Sequence, residues 1–185
     1  MTILAEVEQP KEPSQINAAV KADFPAIKAI LEATIRTPYG TGKIDQSELQ
    51  MELERVTNTL DSSGEDRILV AKDKQGQVLG FAFFGKPDSR ITDFTHSDPE
   101  TTTELRLLYL DPSKRRQGIG GGLLQAVEDE AKRKGMQRIE LTSGPRYILI
   151  GSGRFYSKKG YRLVGTIENY FEGKCWAKVY QKELA

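Results

Sequence analysis

The stretch Ser113–Gly135, SKRRQGIGGGLLQAVEDEAKRKG, places glycines and cations at the start of an amphipathic helix. Apolar residues recur at helical spacing from Leu123 to Ala131, which predicts one buried stripe. On the other face each acidic residue precedes a basic one by four positions, and Gly135 is a typical helix stop. The sequence therefore predicts a helix that starts near Ile119 and packs one face on a core.

The head of this helix predicts an anion-binding site. Its first backbone N–H groups have no partner within the helix, and they emerge beside the glycines at 118 and 120–122. Glycine lets a ligand approach the backbone closely, and the basic residues 114–116 add positive charge to the helix dipole. A phosphate or pyrophosphate suits such a site. The alternative is that the glycines serve tight helix–strand packing and the cations are solvated.

Two common nucleotide-binding loops do not fit this stretch. A P-loop ends in Gly-Lys-Ser/Thr, whereas Gly122 is followed by two leucines. The dinucleotide fingerprint requires a third glycine where this chain has Leu123. A nucleotide-binding protein of another fold is therefore the weaker alternative.

The rest of the chain predicts one mixed α/β domain over 14–185, behind a flexible arm at 1–13. Helical spacing of apolar residues indicates two helices near the amino end, and β-branched and aromatic runs indicate strands around them. Residues 86–103 are expected to be a polar loop. The expected strands lie near 16–20, 67–72, 77–85, 104–111, 137–143, 161–168 and 175–183.

The amino-acid composition limits the binding partners and the cellular compartment that can be expected for the protein. The 185 residues carry 27 basic and 26 acidic side chains, so neither nucleic acid nor a membrane is expected as a partner. The one cysteine, Cys175, excludes an internal disulfide and a cysteine-based metal site, and no metal is expected. The sequence has no signal-peptide pattern and no bilayer-length apolar run, which predicts a cytoplasmic protein.

Two motifs resemble one enzyme family. Arg115-Arg116-Gln117-Gly118-Ile119-Gly120 fits the pattern Gln/Arg-x-x-Gly-x-Gly/Ala of the acyl-CoA-binding loop in the GNAT family of N-acetyltransferases. RFYSKKGY, at 154–161, resembles the family's Phe-Tyr-x-x-x-Gly-Phe segment. The resemblance implies the α/β (α+β) GNAT fold. That fold is a mixed, mostly antiparallel sheet with a splayed parallel strand pair, flanked by about four helices.

The resemblance also implies acetyl-CoA as co-substrate. Main-chain groups of β-strand residues would pair with the pantetheine arm, and amides of the loop would hold the pyrophosphate. A homodimer through the last strands is compatible with the family. The cofactor-binding residues so implied are Leu108, Tyr109, Leu110, Arg115, Arg116, Gln117, Gly118, Ile119, Gly120 and Gly121.

Tyr156 and Glu104 are the catalytic residues that the resemblance implies. Tyr156 matches the tyrosine that protonates the departing CoA thiolate; the alternative is a half-buried aromatic of a short helix. Glu104 precedes Gly118 by the offset of the general base in histone-acetylating members. Its alternative role is an orienting or merely exposed strand residue.

Other candidates carry less weight. Glu140, on the adjacent strand, is a second candidate base, His96 is expected at the surface, and Cys175 is expected as a small core residue. Leu149 stands where amino-terminal-acetylating relatives carry an asparagine. Arg146 or Ser152 is therefore a candidate contact to the cofactor or acceptor.

The acidic and aromatic loops predict the chemical class of the acceptor. These are TPYGTGKIDQSE after the first helix, the loop with Asp88, Asp93, Asp98 and Glu100, and ENYFEGK with Glu168, Tyr170, Phe171 and Glu172. They suit a primary amine of a small cationic, polyamine-like molecule or a peptide amino terminus, acetylated by direct attack in a ternary complex. The alternatives are plain solvated loops and a catalytically degenerate acyl-CoA-binding regulatory module.

Overall fold

A computed structural model gives the structure of the chain and describes residues 15–36, 43–145, 147, 151–171 and 175–184. The predicted arm at 1–13 lies outside the described residues, and so do Arg146, Leu149 and Glu172.

Seven strands form one sheet in the order β1-β2-β3-β4-β5-β7-β6. Every neighbouring pair is antiparallel except β4 and β5, which are parallel. The mixed, mostly antiparallel sheet with one parallel pair is therefore confirmed. The strands are β1 Gln15–Ala18, β2 Arg67–Lys72, β3 Val78–Gly85, β4 Thr102–Leu110, β5 Arg138–Ser143, β6 Arg162–Phe171 and β7 Cys175–Glu183.

The first two helices begin where the sequence indicates, although the Asp23 side chain makes no cap hydrogen bond to the first. Pro25 lies in the first turn of the first helix, and the Asp45 side chain accepts from the Glu48 N–H at the head of the second. Among the described residues, no helix is long and apolar enough to cross a membrane. The α-helices are α1 Phe24–Thr34, α2 Gln46–Asp61, α3 Ser89–Thr95, α4 Ile119–Arg133 and α5 Ser152–Lys158.

Two expectations about local structure were wrong. The predicted polar loop at 86–103 contains α3, and β4 already begins at Thr102. Helix α3 is too short to show a periodic pattern, and the hydrogen bond from the Arg90 N–H to Asp88 at its start is a local interaction. The described residues hold five α-helices, in agreement with the expected number of about four. Tyr170 and Phe171, expected in a loop, are the last residues of β6.

The sheet buries both faces. Strand β3 is buried along its whole length, with Phe81 and Phe83 packed towards α1 and α2. Phe84, on the opposite face, packs in the cluster covered by Leu123 and Val127 of α4. The predicted apolar stripe of α4 thus faces the sheet as expected.

A β-bulge at Arg106 reverses the alternation of β4. Phe83 pairs with Leu107 and Phe84 pairs with Leu105, so Arg106 is an extra residue opposite the β3 ladder. Leu105 therefore packs on the α4 side, whereas Leu107 packs on the α1–α2 side. Glu104 consequently faces the same side as Leu107.

Strands β4 and β5 pair only at their beginnings. The parallel ladder joins Thr102–Leu105 to Arg138–Leu141, and β4 continues to Leu110 without a partner on that edge. Strand β5 continues to Ser143. The two strands part beyond the ladder, which confirms the splayed pair that the resemblance implied.

We predict that Gly80→Ala destabilises the fold by about 1–3 kcal/mol. A Cβ at Gly80 would lie 2.8 Å from the Tyr109 carbonyl oxygen and would clash with Leu110 Cδ2, so β4 must shift. Urea unfolding measures the change. Gly64→Ala is the control, because its Cβ would meet only Ser62 Oγ at 3.5 Å. Equal stability of both variants would contradict the prediction.

Candidate active site

The gap between β4 and β5 contains a cavity of about 240 Å³, here called the splay cavity. Leu108 and Leu110 of β4 line one side, Ser143 of β5 lines the other, and Phe155 and Tyr156 of α5 complete the wall. The unpaired edge of β4 therefore faces a cavity rather than another strand.

The loop before α4 turns so that its amides point outward from the helix start. Arg116 and Gly118 both have positive φ, at 63° and 82°, and Gly118 is an N-cap without a side-chain hydrogen bond. The first helical bond runs from the Gly122 N–H to the Gly118 carbonyl. The N–H groups of 118–121 therefore have no helical acceptor, which is the arrangement that binds phosphates.

Lys159 adds a cation that sequence reasoning missed. A Cβ built on Gly121 would lie 3.0 Å from Lys159 Nζ, so the ammonium lies against the first turn of α4. A cation at the positive end of a helix is unfavourable unless an anion lies near both. Lys159 occupies an unspecified position of the RFYSKKGY motif. Only the packing of α5 beside α4 shows that it reaches this turn.

Thr34, the last residue of α1, lines the same cavity. Its Oγ1 is buried and has no hydrogen-bond partner in the structure. A buried polar atom without a partner costs free energy, which a ligand with a donor or acceptor here would recover. The hydroxyl, the free strand edge and the helix amides together fit the amide-rich arm and pyrophosphate of acetyl-CoA.

The predicted cofactor residues all lie in or beside the splay cavity. Leu108, Tyr109, Leu110, Arg115 and Gly120 line it. Arg116, Gln117, Gly118, Ile119 and Gly121 form the adjoining loop and helix start. The Ile119 side chain is buried in the core, which leaves only its backbone available to a ligand.

A second, larger cavity of about 560 Å³ adjoins the first, and it is here called the acidic cavity. Six carboxylate side chains line it, against three guanidinium groups. The two cavities share four lining residues, which mark their junction: Arg106, Tyr109, Thr142 and Tyr147. The carboxylates are Asp45, Glu48, Glu52, Asp66, Asp88 and Glu104, and the guanidiniums belong to Arg55, Arg90 and Arg106.

Glu104 is a buried carboxylate in the wall of the acidic cavity, with only 5% of its surface exposed. Desolvation raises its pKa to about 6, although the Asp88 N–H donates to Oε2 at 2.9 Å and Arg106 Nε lies 3.7 Å away. The charge of Asp88 raises the pKa further. Glu104 is thus mostly ionised at pH 7 and able to accept a proton.

An ion pair and an aromatic ring fix the segment that holds Glu104. Arg90 Nη2 lies 2.6 Å from Asp88 Oδ2, and Arg90 Nη1 donates to the Tyr170 carbonyl oxygen at 2.8 Å. The guanidinium carbon also lies 4.2 Å from the centroid of the Tyr170 ring. The hydrogen bond from Arg90 lowers the Asp88 pKa. The Asp88 backbone is thereby held in place to donate to Glu104.

The acceptor-side residues were predicted only in part. Asp88, Tyr170 and Phe171 line the acidic cavity, as predicted from the acidic and aromatic loops of the sequence. Asp93, Asp98, Glu100 and Glu168 are not among its lining residues. Half of its carboxylates, Asp45, Glu48 and Glu52, come from α2 and its N-cap. Asp45 and Glu48 belong to the predicted acceptor stretch TPYGTGKIDQSE, whereas Glu52 was not predicted.

Tyr156 lines the splay cavity and is partly buried among aromatic rings. Its ring centroid lies 5.2 Å from that of Phe155, 5.7 Å from Tyr161 and 5.9 Å from Tyr180. Burial raises the Tyr156 pKa above its usual range, so the phenol stays protonated at neutral pH. Tyr156 and Glu104 therefore line adjoining cavities, on opposite sides of their shared residues.

The remaining candidates lie elsewhere or play other parts. Glu140 is fully buried, accepts from Ser97 Oγ at 3.2 Å and Gln181 Nε2 at 2.8 Å, and lines neither cavity. Ser152 lines the splay cavity, and its hydroxyl lies 2.8 Å from that of Ser143.

His96 is exposed and ends α3 in the left-handed conformation, and Cys175 is buried at the start of β7. Within the described part of the chain, no group of three or more His, Cys, Asp or Glu residues could hold a metal ion.

Comparison with known proteins identifies the family. The profile of the acetyltransferase (GNAT) family matches residues 27–161, which is most of the chain. The chain therefore belongs to the GNAT family of N-acetyltransferases, whose acetyl donor is acetyl-CoA. No curated protein matches the sequence.

Solved structures agree with this assignment. An acetyltransferase of the GNAT family from Desulfovibrio desulfuricans has a TM-score of 0.72 at 18% identity, over 92% of this chain and 99% of that one. An N-acetyltransferase from Staphylococcus aureus Mu50 has 27% identity and a TM-score of 0.63, over 92% and 98% of the two chains. The protein yncA from Salmonella typhimurium, solved with its cofactor acetyl-CoA, has 23% identity and a TM-score of 0.64, over 92% and 94%.

We predict that Gly120→Glu weakens acetyl-CoA binding by at least about tenfold, because the carboxylate enters the splay cavity and repels phosphate. A Cβ at Gly120 has ordinary contacts, 3.5 Å to Leu110 Cδ1 and 3.8 Å to Phe155 Cζ, so the backbone accepts a side chain. Titration calorimetry with acetyl-CoA measures the affinity.

Two controls isolate the effect. Gly120→Ala adds only the methyl group, and Gln125→Glu adds the same charge at an exposed position of α4. Both controls should bind acetyl-CoA nearly as the wild type does. Wild-type affinity in Gly120→Glu would place the cofactor elsewhere.

Proposed function

We propose that this protein transfers the acetyl group of acetyl-CoA to a primary amine of a small cationic, polyamine-like molecule. Attack is direct, within a ternary complex of enzyme, acetyl-CoA and acceptor. The observation that carries the proposal is the junction of the two cavities. The splay cavity fits the cofactor, and the adjoining acidic cavity fits an ammonium group.

The acidic cavity favours a cationic acceptor through its charge. It has twice as many carboxylates as guanidiniums, and the guanidiniums pair with four of the carboxylates: Glu52 with Arg55, Asp66 and Glu104 with Arg106, and Asp88 with Arg90. The lining therefore has more acidic than basic side chains, which favours an ammonium group.

Glu104 is the proposed general base. The carboxylates that attract an ammonium also stabilise its charged form, which has no lone pair for attack on the thioester. A proton acceptor inside the cavity is therefore needed. Glu104 takes this proton directly or through water, and its raised pKa makes it a stronger base than an exposed glutamate.

Tyr156 is the proposed general acid. The neutral amine nitrogen forms a bond to the acetyl carbon, the carbon–sulfur bond breaks, and its electron pair goes to sulfur. The nitrogen releases its second proton to solvent, which leaves a neutral amide. The Tyr156 phenol then donates its proton to that sulfur, and solvent restores the phenol. The raised pKa of Tyr156 keeps the proton available throughout the neutral range.

The acceptor assay tests the proposed function directly. Release of free CoA thiol from acetyl-CoA is measured against spermidine, other small amines, aminoglycosides and short peptides. Turnover with small cationic amines is the expected result. Turnover with peptides alone would replace the acceptor class with a peptide amino terminus. Acetyl-CoA binding without any turnover would favour the regulatory module.

We predict an acid limb in the wild-type profile of kcat/KM against pH, with a midpoint near the Glu104 pKa of about 6. Glu104 must be ionised to accept a proton, so activity falls as pH drops below this value and is retained above it. Glu104→Gln should lower kcat/KM by about 10²–10⁴-fold and remove this limb. An unchanged limb in the variant would exclude Glu104 as the base.

We predict that Tyr156→Phe lowers kcat by about 10²-fold or more and leaves acetyl-CoA affinity nearly unchanged. Phenylalanine keeps the ring contacts with Phe155, Tyr161 and Tyr180, so folding should be preserved. Steady-state kinetics and calorimetry separate the two quantities. Wild-type kcat in the variant would show that the thiolate leaves without this proton donor.

A further inference from the structure

Glu52 is a buried carboxylate that the mechanism above does not use. It lies on α2 with 5% of its surface exposed, and it lines the acidic cavity. Arg55 Nη1 donates to its Oε1 at 3.0 Å, but its buried Oε2 has no hydrogen-bond partner in the structure. A carboxylate oxygen left without a donor in a buried place is costly.

Glu52 and Glu104 share one electrostatic environment. They line the same cavity from α2 and β4, and the charges of Arg55 and Arg106 act on both carboxylates. Desolvation nevertheless raises the pKa of each, so these guanidiniums do not offset burial. The cavity thus presents two buried carboxylates, one of which has an oxygen without a donor.

We infer that Glu52 binds a second ammonium group of the acceptor, so that the enzyme prefers diamines and polyamines over monoamines. This inference rests on the proposed function, in which Glu104 receives the proton of the reacting amine. The distal ammonium donates to Glu52 Oε2 and supplies the missing hydrogen bond. A monoamine of equal length leaves that oxygen without a partner.

The volume and composition of the acidic cavity suit a ligand with an ammonium group at each end. About 560 Å³ is more space than one alkylammonium group needs, and ligand sites of this size are common. Met51 and Leu107 add apolar lining beside the carboxylates. A methylene chain between two ammonium groups suits such a wall, because its middle is apolar and its ends are charged.

The first test measures binding without catalysis. Calorimetry in the presence of saturating CoA gives the affinity of α,ω-diaminoalkanes with three to eight carbons, and of the monoalkylamines of equal length. We expect one chain length to bind best, about tenfold to a hundredfold tighter than its monoamine. Diamines that bind no better than monoamines would overturn the inference.

The second test uses a matched pair of variants. Glu52→Gln keeps an oxygen for Arg55 but removes the charge, whereas Glu54→Gln removes a charge from the exposed side of the same helix. Glu52→Gln should raise KM for the best diamine about tenfold or more, with kcat nearly unchanged, and should raise KM for the monoamine much less. Glu54→Gln should leave both substrates unaffected.

The outcomes separate this inference from the proposed function. Equal losses for diamine and monoamine in Glu52→Gln would show a general structural role and overturn the inference. If diamine binding depends on Glu52 but no amine is acetylated, the binding site stands and the proposed transferase reaction to such amines fails. Acetylation of monoamines and diamines with equal kcat/KM would support the proposed function and reject the role of Glu52.

Discussion

The parting of β4 from β5 is the constraint on which the rest of the site depends. A parallel pair that stayed paired to its end would satisfy every backbone group of both strands and leave no space between them. Here the ladder ends at Leu105, and β4 continues along an open edge as far as Leu110. Both faces of the sheet are covered beside this edge, by α4 on one side and by α1 and α2 on the other.

The bulge at Arg106 decides which side of the sheet holds the chemistry. Without the extra residue, Glu104 and Leu107 would face opposite sides, and Glu104 could not line the acidic cavity. The bulged side chain is itself fixed, because Arg106 Nη1 lies 2.6 Å from Asp66 Oδ2 and the guanidinium also donates to the Lys86 carbonyl oxygen. One residue therefore shapes the strand, tunes Glu104 and marks the junction of the cavities.

The sequence predicted the features that local patterns encode. The glycines before α4, the apolar stripe of that helix and the seven strands follow from spacing and residue type, and motif offsets picked out Glu104 and Tyr156. Contacts between distant segments were not predictable in this way. Lys159 reaches the head of α4 only because α5 packs beside it, and α3 is too short to have a period.

The spacing of residues in α2 already indicated that Glu52 is buried, although the sequence-based prediction did not include this residue. Leu49, Glu52 and Val56 are spaced by three and four residues and are the buried residues of α2, so the carboxylate lies on the face that should be apolar. An ionisable residue on a buried stripe is costly unless it has a partner or a function. Arg55 donates a hydrogen bond to one oxygen of Glu52, and the other oxygen is buried without a donor. As at Glu104, nearby positive charge does not offset the desolvation of the carboxylate.

The acidic cavity therefore combines two opposing requirements. Attraction of an ammonium needs negative charge, but each added carboxylate also stabilises the ammonium against the deprotonation that attack requires. Pairing with Arg55, Arg90 and Arg106 moderates the field of the six carboxylates, which still outnumber the guanidiniums. Burial then raises the pKa of Glu104 towards neutrality, and its carboxylate lies 3.7 Å from Arg106 at the junction, which suits the proposed role of this residue as the base.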